Sequence, residues 1–396
     1  MNARAIVTWL AIGLLIALLG GCTLLQRPAS QPGRTKLSAP LVILPAKTIG
    51  GYLIVEVPDG RRAPRHFLID TGSSLTLISP DLAQAIADQD KPATQLTSIR
   101  VKSARGDSVF LPDAMVPALK LGGVSFEDIR VAIYDTAALS AHLGVKIDGI
   151  LGFPLFRHTL LTLDYPQSRV VLAPSDSVAN VPGTPISYTT KHRSPIIPVK
   201  IGDYTLSVLI DSGSDAALNL HPGLGDIPYT QPPRPIAFVG TLTGNQALQV
   251  TRLTPSLTFA GQTFPSPIVH LTDELTSIGG EVLKHFSLTF DQTRSRVSFH
   301  RDSRKPIVQA ALRGSGLNFR KTPAYWRVVN IVPGSPASAT DFQIGDLVSR
   351  INGESVEQWN LARYDVLLAE TSAISYTLLQ GTEESSITLS VSELVP

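Results

Sequence analysis

Short apolar runs broken by turn residues recur along the chain and predict a mainly β protein. Residues 53–57 are largely apolar and β-branched, and the Pro-Asp-Gly sequence at 58–60 predicts a turn. Residues 66–69 form a second apolar run that ends at Asp70. The first part of the chain is therefore predicted to begin with a hairpin whose return strand ends at a carboxylate.

A second hairpin with the same arrangement is predicted further along the chain. Residues 196–201 form an apolar run, and the Gly-Asp sequence at 202–203 predicts a turn. Residues 206–210 are again apolar and lead directly to Asp211. Two return strands are thus predicted to end at an aspartate.

The residues around the two aspartates agree as well, because Leu-Ile-Asp-Thr-Gly-Ser at 68–73 corresponds to Leu-Ile-Asp-Ser-Gly-Ser at 209–214. Further positions match in the same order: Gly123 with Gly261, Phe126 with Phe264, Leu151-Gly152 with Ile278-Gly279, Thr162 with Thr289, and Asp164 with Asp291. The separation of matching positions falls from 141 to 138 to 127 residues, so the second copy has lost residues between the blocks. This pattern indicates a duplicated domain, since the period is too long for a solenoid.

The residues after each aspartate are predicted to fix two loops against each other. A glycine two positions after each Asp has no side chain, which lets the loops approach closely. The hydroxyl directly after each Asp is predicted to bond the loops together, and the later hydroxyl to donate to the carboxylate. These supporting residues are Thr71, Gly72 and Ser73 in the first copy and Ser212, Gly213 and Ser214 in the second.

Length and charge narrow the class of protein. The chain has 396 residues, which is enough for two or three domains. Its net charge is only +2 and no basic cluster occurs, so we expect no nucleic-acid partner. One cysteine allows neither a disulfide framework nor a thiolate metal site, and the histidines show no metal-ligand spacing.

The N-terminus predicts an export signal. Arg4 precedes a mostly apolar run at 5–19, and Leu-Gly-Gly-Cys follows at 19–22. This resembles the lipobox of bacterial lipoproteins, which implies that Cys22 is lipidated and becomes the mature N-terminus. The alternative is an ordinary signal peptide or an uncleaved anchor, with Cys22 incidental. Residues 23–40, rich in Pro, Ser and Gln, are predicted to be a flexible tether.

The region from about residue 45 to residue 300 resembles the pepsin and retropepsin superfamily, specifically the bacterial retropepsin-like lipoproteins with two fused lobes. The resemblance implies a mainly β fold of two duplicated lobes with the active site between them. It implies Asp70 and Asp211 as the catalytic dyad, a protein or peptide substrate, and no cofactor or metal.

The same resemblance implies two further features around the dyad. An apolar-apolar-Gly sequence lies beside each catalytic loop, here at 150–152 and at 277–279, where Ser277 departs from the pattern. A flap closes over the substrate, and its candidates are residues 100–111, turning at 104–107, and residues 238–250, turning at 243–245. Neither candidate contains a tyrosine.

The expected chemistry follows from two carboxylates about 3 Å apart, which share one proton because like charges that close cannot both ionise. The ionised member takes a proton from a water that attacks the scissile carbonyl, and the protonated member donates to the carbonyl oxygen. General acid–base catalysis of this kind contributes about 10²–10⁴-fold. Hydroxyl donors at Ser73 and Ser214 are predicted to lower the pKa of the dyad, which places the activity optimum below neutrality.

Two alternatives apply to the dyad. Asp-Thr-Gly and Asp-Ser-Gly are also common turn sequences, so Asp70 and Asp211 could be plain turn residues. The chain could also be an inactive protease that binds peptides without cutting them. Turnover that depends on both carboxylates separates these alternatives from an enzyme.

A third unit is predicted after residue 306, where the repeat ends. A β-branched run at 328–332 is followed by Pro-Gly-Ser-Pro-Ala, and then by Gly-Asp at 345–346 and Ile-Asn-Gly at 351–353. These residues resemble a PDZ domain of the bacterial protease-associated type. The resemblance implies a loop whose backbone N–H groups bind the terminal carboxylate of a peptide ligand. The candidate loop comprises Gly316, Leu317, Asn318 and Phe319, with Asn in place of a second Gly. The alternative is a PDZ fold that only packs on the lobes.

The sequence thus predicts a lipid-anchored aspartic endopeptidase of the bacterial envelope that faces the periplasm. The residue after Cys22 is Thr23 and not the Asp that commonly retains lipoproteins in the inner membrane, which favours the outer membrane. The alternatives are a catalytically inactive peptide-binding lipoprotein of the same fold and a scaffold organised by the PDZ domain. The predicted segments are a signal peptide at 1–21, a lipidated N-terminus and tether at 22–44, lobes at 45–177 and 178–305, and a PDZ domain at 306–396.

Overall fold

A computed structural model describes residues 30–60, 62–88, 94–95, 98–102, 108–177, 181–189, 194–241, 244–273, 275–322, 324–381 and 383–396. Cys22 and the predicted signal peptide lie outside these residues. Strands dominate the described chain, as the apolar runs predict. Its α-helices are α1 (Pro80–Ala87), α2 (Ala137–Leu143), α3 (Gly280–Leu283) and α4 (Leu361–Glu370).

The strands fall into three consecutive groups along the chain. The first comprises β1 (Arg34–Leu37), β2 (Val42–Ile49), β3 (Tyr52–Asp59), β4 (Arg62–Asp70), β5 (Leu77–Ile78), β6 (Thr94–Gln95), β7 (Ile99–Lys102), β8 (Ser108–Leu111), β9 (Asp113–Leu121), β10 (Val124–Ile133), β11 (Gly149–Gly152), β12 (Thr159–Asp164) and β13 (Arg169–Pro174). The second comprises β14 (Thr184–Ser187), β15 (Ile196–Ile201), β16 (Tyr204–Ile210), β17 (Leu218–Leu220), β18 (Arg234–Thr241), β19 (Gly244–Arg252), β20 (Leu257–Phe259), β21 (Gln262–Phe264), β22 (Ile268–Leu271), β23 (Ser277–Ile278), β24 (Ser287–Asp291) and β25 (Arg296–His300). The third comprises β26 (Leu312–Gly314), β27 (Leu317–Lys321), β28 (Trp326–Ile331), β29 (Leu347–Ile351), β30 (Glu354–Ser355), β31 (Ala373–Gln380), β32 (Glu383–Ser390) and β33 (Ser392–Val395).

Two large sheets carry the first two groups. One runs β14-β25-β24-β12-β13-β2-β3-β4-β11-β5-β10-β9-β6, with β1 added to β10. The other runs β18-β19-β22-β17-β23-β16-β15-β20-β21. Strands β7 and β8 form a two-stranded sheet of their own. The two predicted hairpins are confirmed, since β3 pairs with β4 and β15 with β16, each pair antiparallel.

The two groups meet where β12 lies antiparallel to β24. Thr162 is directly opposite Thr289 in this register, and their hydroxyls are 2.8 Å apart. These are the residues that the sequence comparison matches to each other. The strand pair therefore has a local twofold relation at the point where the two groups join. A shared apolar core continues from one group into the other.

The third group forms a separate unit with its own core. Its main sheet runs β27-β28-β29-β31-β32, with β30 on β29, and β26 pairs with β33. The buried side chains of Trp326, Tyr364 and Tyr376 lie at its centre. Ile307 still packs in the core of the second group, so this unit, the C-terminal unit below, begins a few residues after the predicted boundary at 306.

The predicted tether at 22–44 is wrong for its described part. Ser30 is fully buried, and its hydroxyl donates to Arg130 O (2.8 Å) and accepts from Thr76 N (2.6 Å). β1 pairs with β10, and β2 begins at Val42. Buried polar groups need partners, and these bonds hold the segment on the first group, so the folded body includes residues 30–44. In the described ranges, no helix has the length and apolar character needed to cross a bilayer.

Candidate active site

Two equivalent strands deliver the two aspartates. β4 ends at Asp70 and runs parallel to β11, in a register that places Gly152 beside Asp70. β16 ends one residue before Asp211 and runs parallel to β23, and Asp211 N donates to Ile278 O (2.9 Å). The predicted apolar-apolar-Gly sequences therefore lie directly beside the loops that carry the carboxylates.

The loops are interlocked by reciprocal hydrogen bonds. Thr71 Oγ1 donates to Ile210 O (2.7 Å) and accepts from Ser212 N (3.0 Å). Ser212 Oγ donates to Ile69 O (2.8 Å) and accepts from Thr71 N (3.0 Å). Both hydroxyl residues are fully buried, so every one of these groups needs its partner. The bonds predicted for Thr71 and Ser212 are confirmed.

The glycines of the two loops allow each loop to contact the other's carboxylate. A Cβ added at Gly72 would lie 2.5 Å from Asp211 Oδ1, and one added at Gly213 would lie 2.5 Å from Asp70 Oδ1. Real Cβ atoms do not approach so closely, so only glycine fits at either position. The close approach predicted from the sequence is confirmed, and it brings Asp70 and Asp211 together.

The electrostatics of Asp70 follow from this enclosure. Burial raises its pKa to about 6, while hydrogen bonds from Ser73 N and Gly72 N and one with the Asp211 carboxyl act in the opposite direction. Asp70 Oδ1 accepts from Ser73 N at 2.9 Å, and Asp211 Oδ1 accepts from Gly213 N at 3.0 Å. Two carboxyl groups within hydrogen-bonding reach can share one proton, which suits one acid and one base.

The hydroxyls of Ser73 and Ser214 do not make the predicted hydrogen bonds to the carboxylates. Ser73 Oγ donates to Leu75 O (2.8 Å) rather than to Asp70, which receives the Ser73 backbone N–H instead. Ser214 Oγ accepts from Asn219 Nδ2 (3.1 Å) and Ala216 N (3.3 Å). A serine hydroxyl readily binds nearby backbone groups, and here it shapes the turn after each Asp. The predicted donation from Ser73 and Ser214 to the carboxylates is therefore wrong, and these hydroxyls instead bond within their own loops.

Two residues near the dyad were missed by the sequence analysis. Burial raises the pKa of the partly buried Asp215 to about 6. The hydroxyl of Tyr52 contacts the backbone of Asp215, and its pKa is raised mainly by burial and further by the charges of Asp215, Asp211 and Asp70. Asp215 directly follows the Asp-Ser-Gly-Ser sequence of the second copy, at the position that Ser74 has in the first copy. This difference between the copies is a signal that could have identified Asp215. Nothing in the sequence marks Tyr52.

Both flap candidates form antiparallel hairpins. β7 pairs with β8, and the predicted turn at 104–107 lies outside the described residues. β18 pairs with β19 up to Thr241 opposite Gly244, so positions 244 and 245 of the predicted turn lie in β19, and position 243 lies outside the described residues. These hairpins are called hairpin 1 and hairpin 2 below.

The candidate peptide loop lies at the start of β27. Gly316 has a positive φ of 92°, whereas Leu317, Asn318 and Phe319 belong to the strand. Asn318 Nδ2 donates to Ile236 O of hairpin 2 (3.0 Å). The substituted residue therefore contacts the second group of strands within the same chain. Among the described residues, no cluster of His, Cys, Asp or Glu has the arrangement of a metal site.

Comparison with known proteins gives one finding for this region. Residues 54–155 match the family model of the aspartyl proteases, a match that includes Asp70 and the apolar-apolar-Gly sequence at 150–152. The match suggests an aspartic-type peptidase with protein or peptide substrates. The chain matches no curated protein.

Proposed function

We propose that the protein is an aspartic endopeptidase in which Asp70 and Asp211 activate a water between two duplicated lobes. The observation that carries this proposal is the reciprocal approach of each loop's glycine to the other loop's carboxylate. A pair of ordinary turns has no reason to exclude a Cβ at both glycines or to bury four interlocking hydrogen bonds. The aspartyl protease match supports the first half of the pair.

In this mechanism the loops after Asp70 and Asp211 position the two carboxylates in equivalent ways. Burial disfavours the charge of Asp70 and raises its pKa to about 6, so this carboxyl keeps its proton to a higher pH than an ordinary aspartate does. One protonated carboxyl then donates to the carbonyl oxygen of the peptide bond, and the ionised one accepts a proton from the attacking water. The carboxyl that took the water proton then gives it to the amine nitrogen, and the C–N bond breaks. The other carboxylate takes back the proton from the former carbonyl oxygen, which restores the dyad with one proton.

The wider arrangement belongs to the same proposal. Cys22 would be lipidated after removal of residues 1–21, which would anchor the enzyme in the bacterial envelope facing the periplasm, with the outer membrane favoured. The unit from 306 to 396 would be a PDZ domain, supported by the separate sheet and by the positive φ at Gly316. Labelling with a radioactive fatty acid, compared between the wild type and Cys22→Ala, tests the anchor.

The central experiment is cleavage of a mixed peptide library by the purified protein across acidic to mildly alkaline pH. Asp70→Asn and Asp211→Asn are measured alongside it, because asparagine keeps the shape of the side chain. Cleavage by the wild type and its loss in both variants supports the enzyme. A folded wild type that binds library peptides and cuts none supports the inactive peptide-binding alternative instead.

A further inference from the structure

Hairpin 2 is attached to the C-terminal unit by polar and apolar contacts at its base. The Arg234 guanidinium donates to Leu394 O (3.2 Å) and also to Pro333 O. Arg252, at the other strand's end, donates to Ala310 O and Pro396 O. A buried apolar cluster joins the two parts: Ile236 and Val250 from the hairpin, and Val332, Leu394 and Val395 from the C-terminal unit.

A β-bulge prepares hairpin 2 for this attachment. Pro235 pairs with Gln249 and Ala237 with Leu248, so Ile236 is an extra residue without a partner in the ladder. A bulged residue leaves its backbone groups free of the ladder. The freed Ile236 carbonyl accepts the side-chain amide of Asn318 at 3.0 Å. The candidate peptide loop is therefore already engaged with the hairpin.

The opposite end of the same unit contacts the first group of strands. Helix α2 contacts both β27 and α4, the two elements between which a PDZ domain binds its peptide. Gly144, which ends α2 with a φ of 70°, abuts Asn360, the N-cap of α4, and a Cβ there would lie 3.3 Å from Asn360 Cα. We call the space between these elements the β27–α4 groove. Helix α2 lies across the end of this groove that is remote from Gly316.

Burial and the charge of a lysine at this contact lower the pKa of a neighbouring histidine. Lys321, at the end of β27, lies over the rings of Trp326 (4.7 Å) and Tyr364 (5.8 Å), and its ammonium group is buried without a hydrogen-bond partner among the described residues. Burial, and then the charge of Lys321, lowers the pKa of His142 on α2 to about 4. His142 is therefore neutral at physiological pH, which suits a position beside the Lys321 ammonium, whose charge is opposed by that of Asp365 on α4.

We propose that the C-terminal unit binds its own protease body in cis, holding the base of hairpin 2 while α2 closes one end of the β27–α4 groove. A peptide with a free carboxyl terminus competes with these contacts, and its binding releases hairpin 2. The unit is thus a clamp whose first partner is this chain. This regulation acts on the proposed active site and rests on the proposed function, although the contacts themselves do not depend on activity.

The hold on hairpin 2 is tested by backbone hydrogen exchange in Arg234→Ala, with Arg296→Ala as the matched control. Arg296 is exposed on β25, away from the contact. We expect exchange in β18 and β19 to become at least tenfold faster in Arg234→Ala, while β16 is unchanged and shows that the fold is intact. Equal exchange of the hairpin in both variants overturns the clamp.

The closure of the β27–α4 groove is tested by placing either a positive or a negative charge at position 142. His142→Lys places a second cation beside Lys321 and opens the groove, whereas His142→Glu adds a carboxylate to the one that Asp365 already supplies and closes the groove further. The probe is a fluorescent hexapeptide pool with free carboxyl termini, and an amidated pool is the control. We expect at least tenfold tighter binding to His142→Lys than to His142→Glu, with the wild type between them.

Equal affinities in the three proteins overturn the closure. Lys120→Glu, a charge change on the exposed face of β9, should leave both peptide binding and hairpin exchange unchanged. Exchange and binding require no turnover. A protein that cuts no peptide but shows these shifts therefore refutes the proposed function alone, and an active protein without them refutes only the clamp.

Discussion

The two halves of the site match closely at the carboxylates and differ at the hairpins above them. Thr71 and Ser212 make the same bonds in opposite directions, and each glycine excludes a Cβ at the other loop's carboxylate. Hairpin 1, by contrast, is an isolated two-stranded sheet, whereas hairpin 2 continues into the nine-stranded sheet through β22. The chemistry requires a symmetric pair, but substrate access requires only one mobile cover.

This contrast indicates which hairpin closes over a substrate. Phe110 on hairpin 1 is 70% exposed, although Ile99, Val101 and Leu111 of this hairpin pack on a small buried cluster. Hairpin 2 has a buried apolar cluster at its base and is bonded to the C-terminal unit. We therefore infer that, while the C-terminal unit holds hairpin 2, hairpin 1 is the moving flap and its exposed phenylalanine is available to contact a bound peptide.

The largest expected effect tests the symmetry of the carboxylates. Asp70→Asn and Asp211→Asn should each lower kcat by about 10²–10⁴-fold, since each removes a general acid or base. The two losses should agree within about tenfold, measured on one cleaved peptide from the library. A variant that keeps wild-type turnover would remove its aspartate from the dyad. Asp203→Asn, at an exposed turn, is the control.

The next effect is the pH dependence of the pair. Burial raises the pKa of Asp70 to about 6, so this group keeps its proton below that pH and loses it above. The working dyad needs one proton, and hence kcat/KM should fall about tenfold per pH unit once the pH exceeds about 6. An activity that is flat up to pH 8 contradicts this assignment. Far-ultraviolet circular dichroism at each pH controls for unfolding, because the strands of the first two groups dominate its signal.

A smaller effect tests the interlock between the loops. Thr71→Val and Ser212→Ala each leave a buried donor and a buried acceptor without partners, at about 1–3 kcal/mol per group. Urea unfolding should show losses in the free energy of unfolding that are similar in both variants, on the order of 2–6 kcal/mol for the two groups together. Thr293→Val, at an exposed hydroxyl bonded to Asp291, should cost about 0.5 kcal/mol or less. A large loss of unfolding free energy in only one of the two loop variants would show that the two loops do not contribute equally to stability.

The smallest effect tests the difference between the hairpins. Backbone amides of β7 and β8 should exchange with solvent at least tenfold faster than those of β18 and β19, because β7 and β8 pair only with each other among the described strands, whereas β19 continues into the nine-stranded sheet. Hydrogen exchange read by mass spectrometry resolves the two hairpins. Slower exchange in hairpin 1 would assign the moving flap to the second half of the chain.

Much of the site could be predicted because its signals are local. An apolar run that ends in Asp and a glycine two positions later define the strand end and the close approach at Asp70 and Asp211, without knowledge of distant residues. The register of β12 on β24 follows from the same repeat, since Thr162 and Thr289 are matched positions. The hydroxyls of Ser73 and Ser214 were misjudged because nearby groups compete with the carboxylate: Ser73 Oγ donates to a backbone carbonyl, and Ser214 Oγ accepts from a backbone N–H and an amide.

The rest depends on contacts that no local pattern contains. The Ile236 bulge has meaning only because Asn318, 82 positions later, takes up its carbonyl. Residues 30–44 read as a tether by composition, yet Ser30 is buried against Arg130 O, 100 positions away. The placement of α2 against α4 depends on how the C-terminal unit docks, which the separate sequences of the two helices do not determine.

The central claim is that Asp70 and Asp211 act as one unit, and a double-mutant cycle on kcat/KM tests it most directly. If the two carboxylates share one proton and one water, the Asp70→Asn/Asp211→Asn double variant should be no slower than the worse single variant, within about threefold, because residues that act as a unit are strongly non-additive. Losses that multiply in the double variant would instead show two independent contributions, and the dyad account would be wrong.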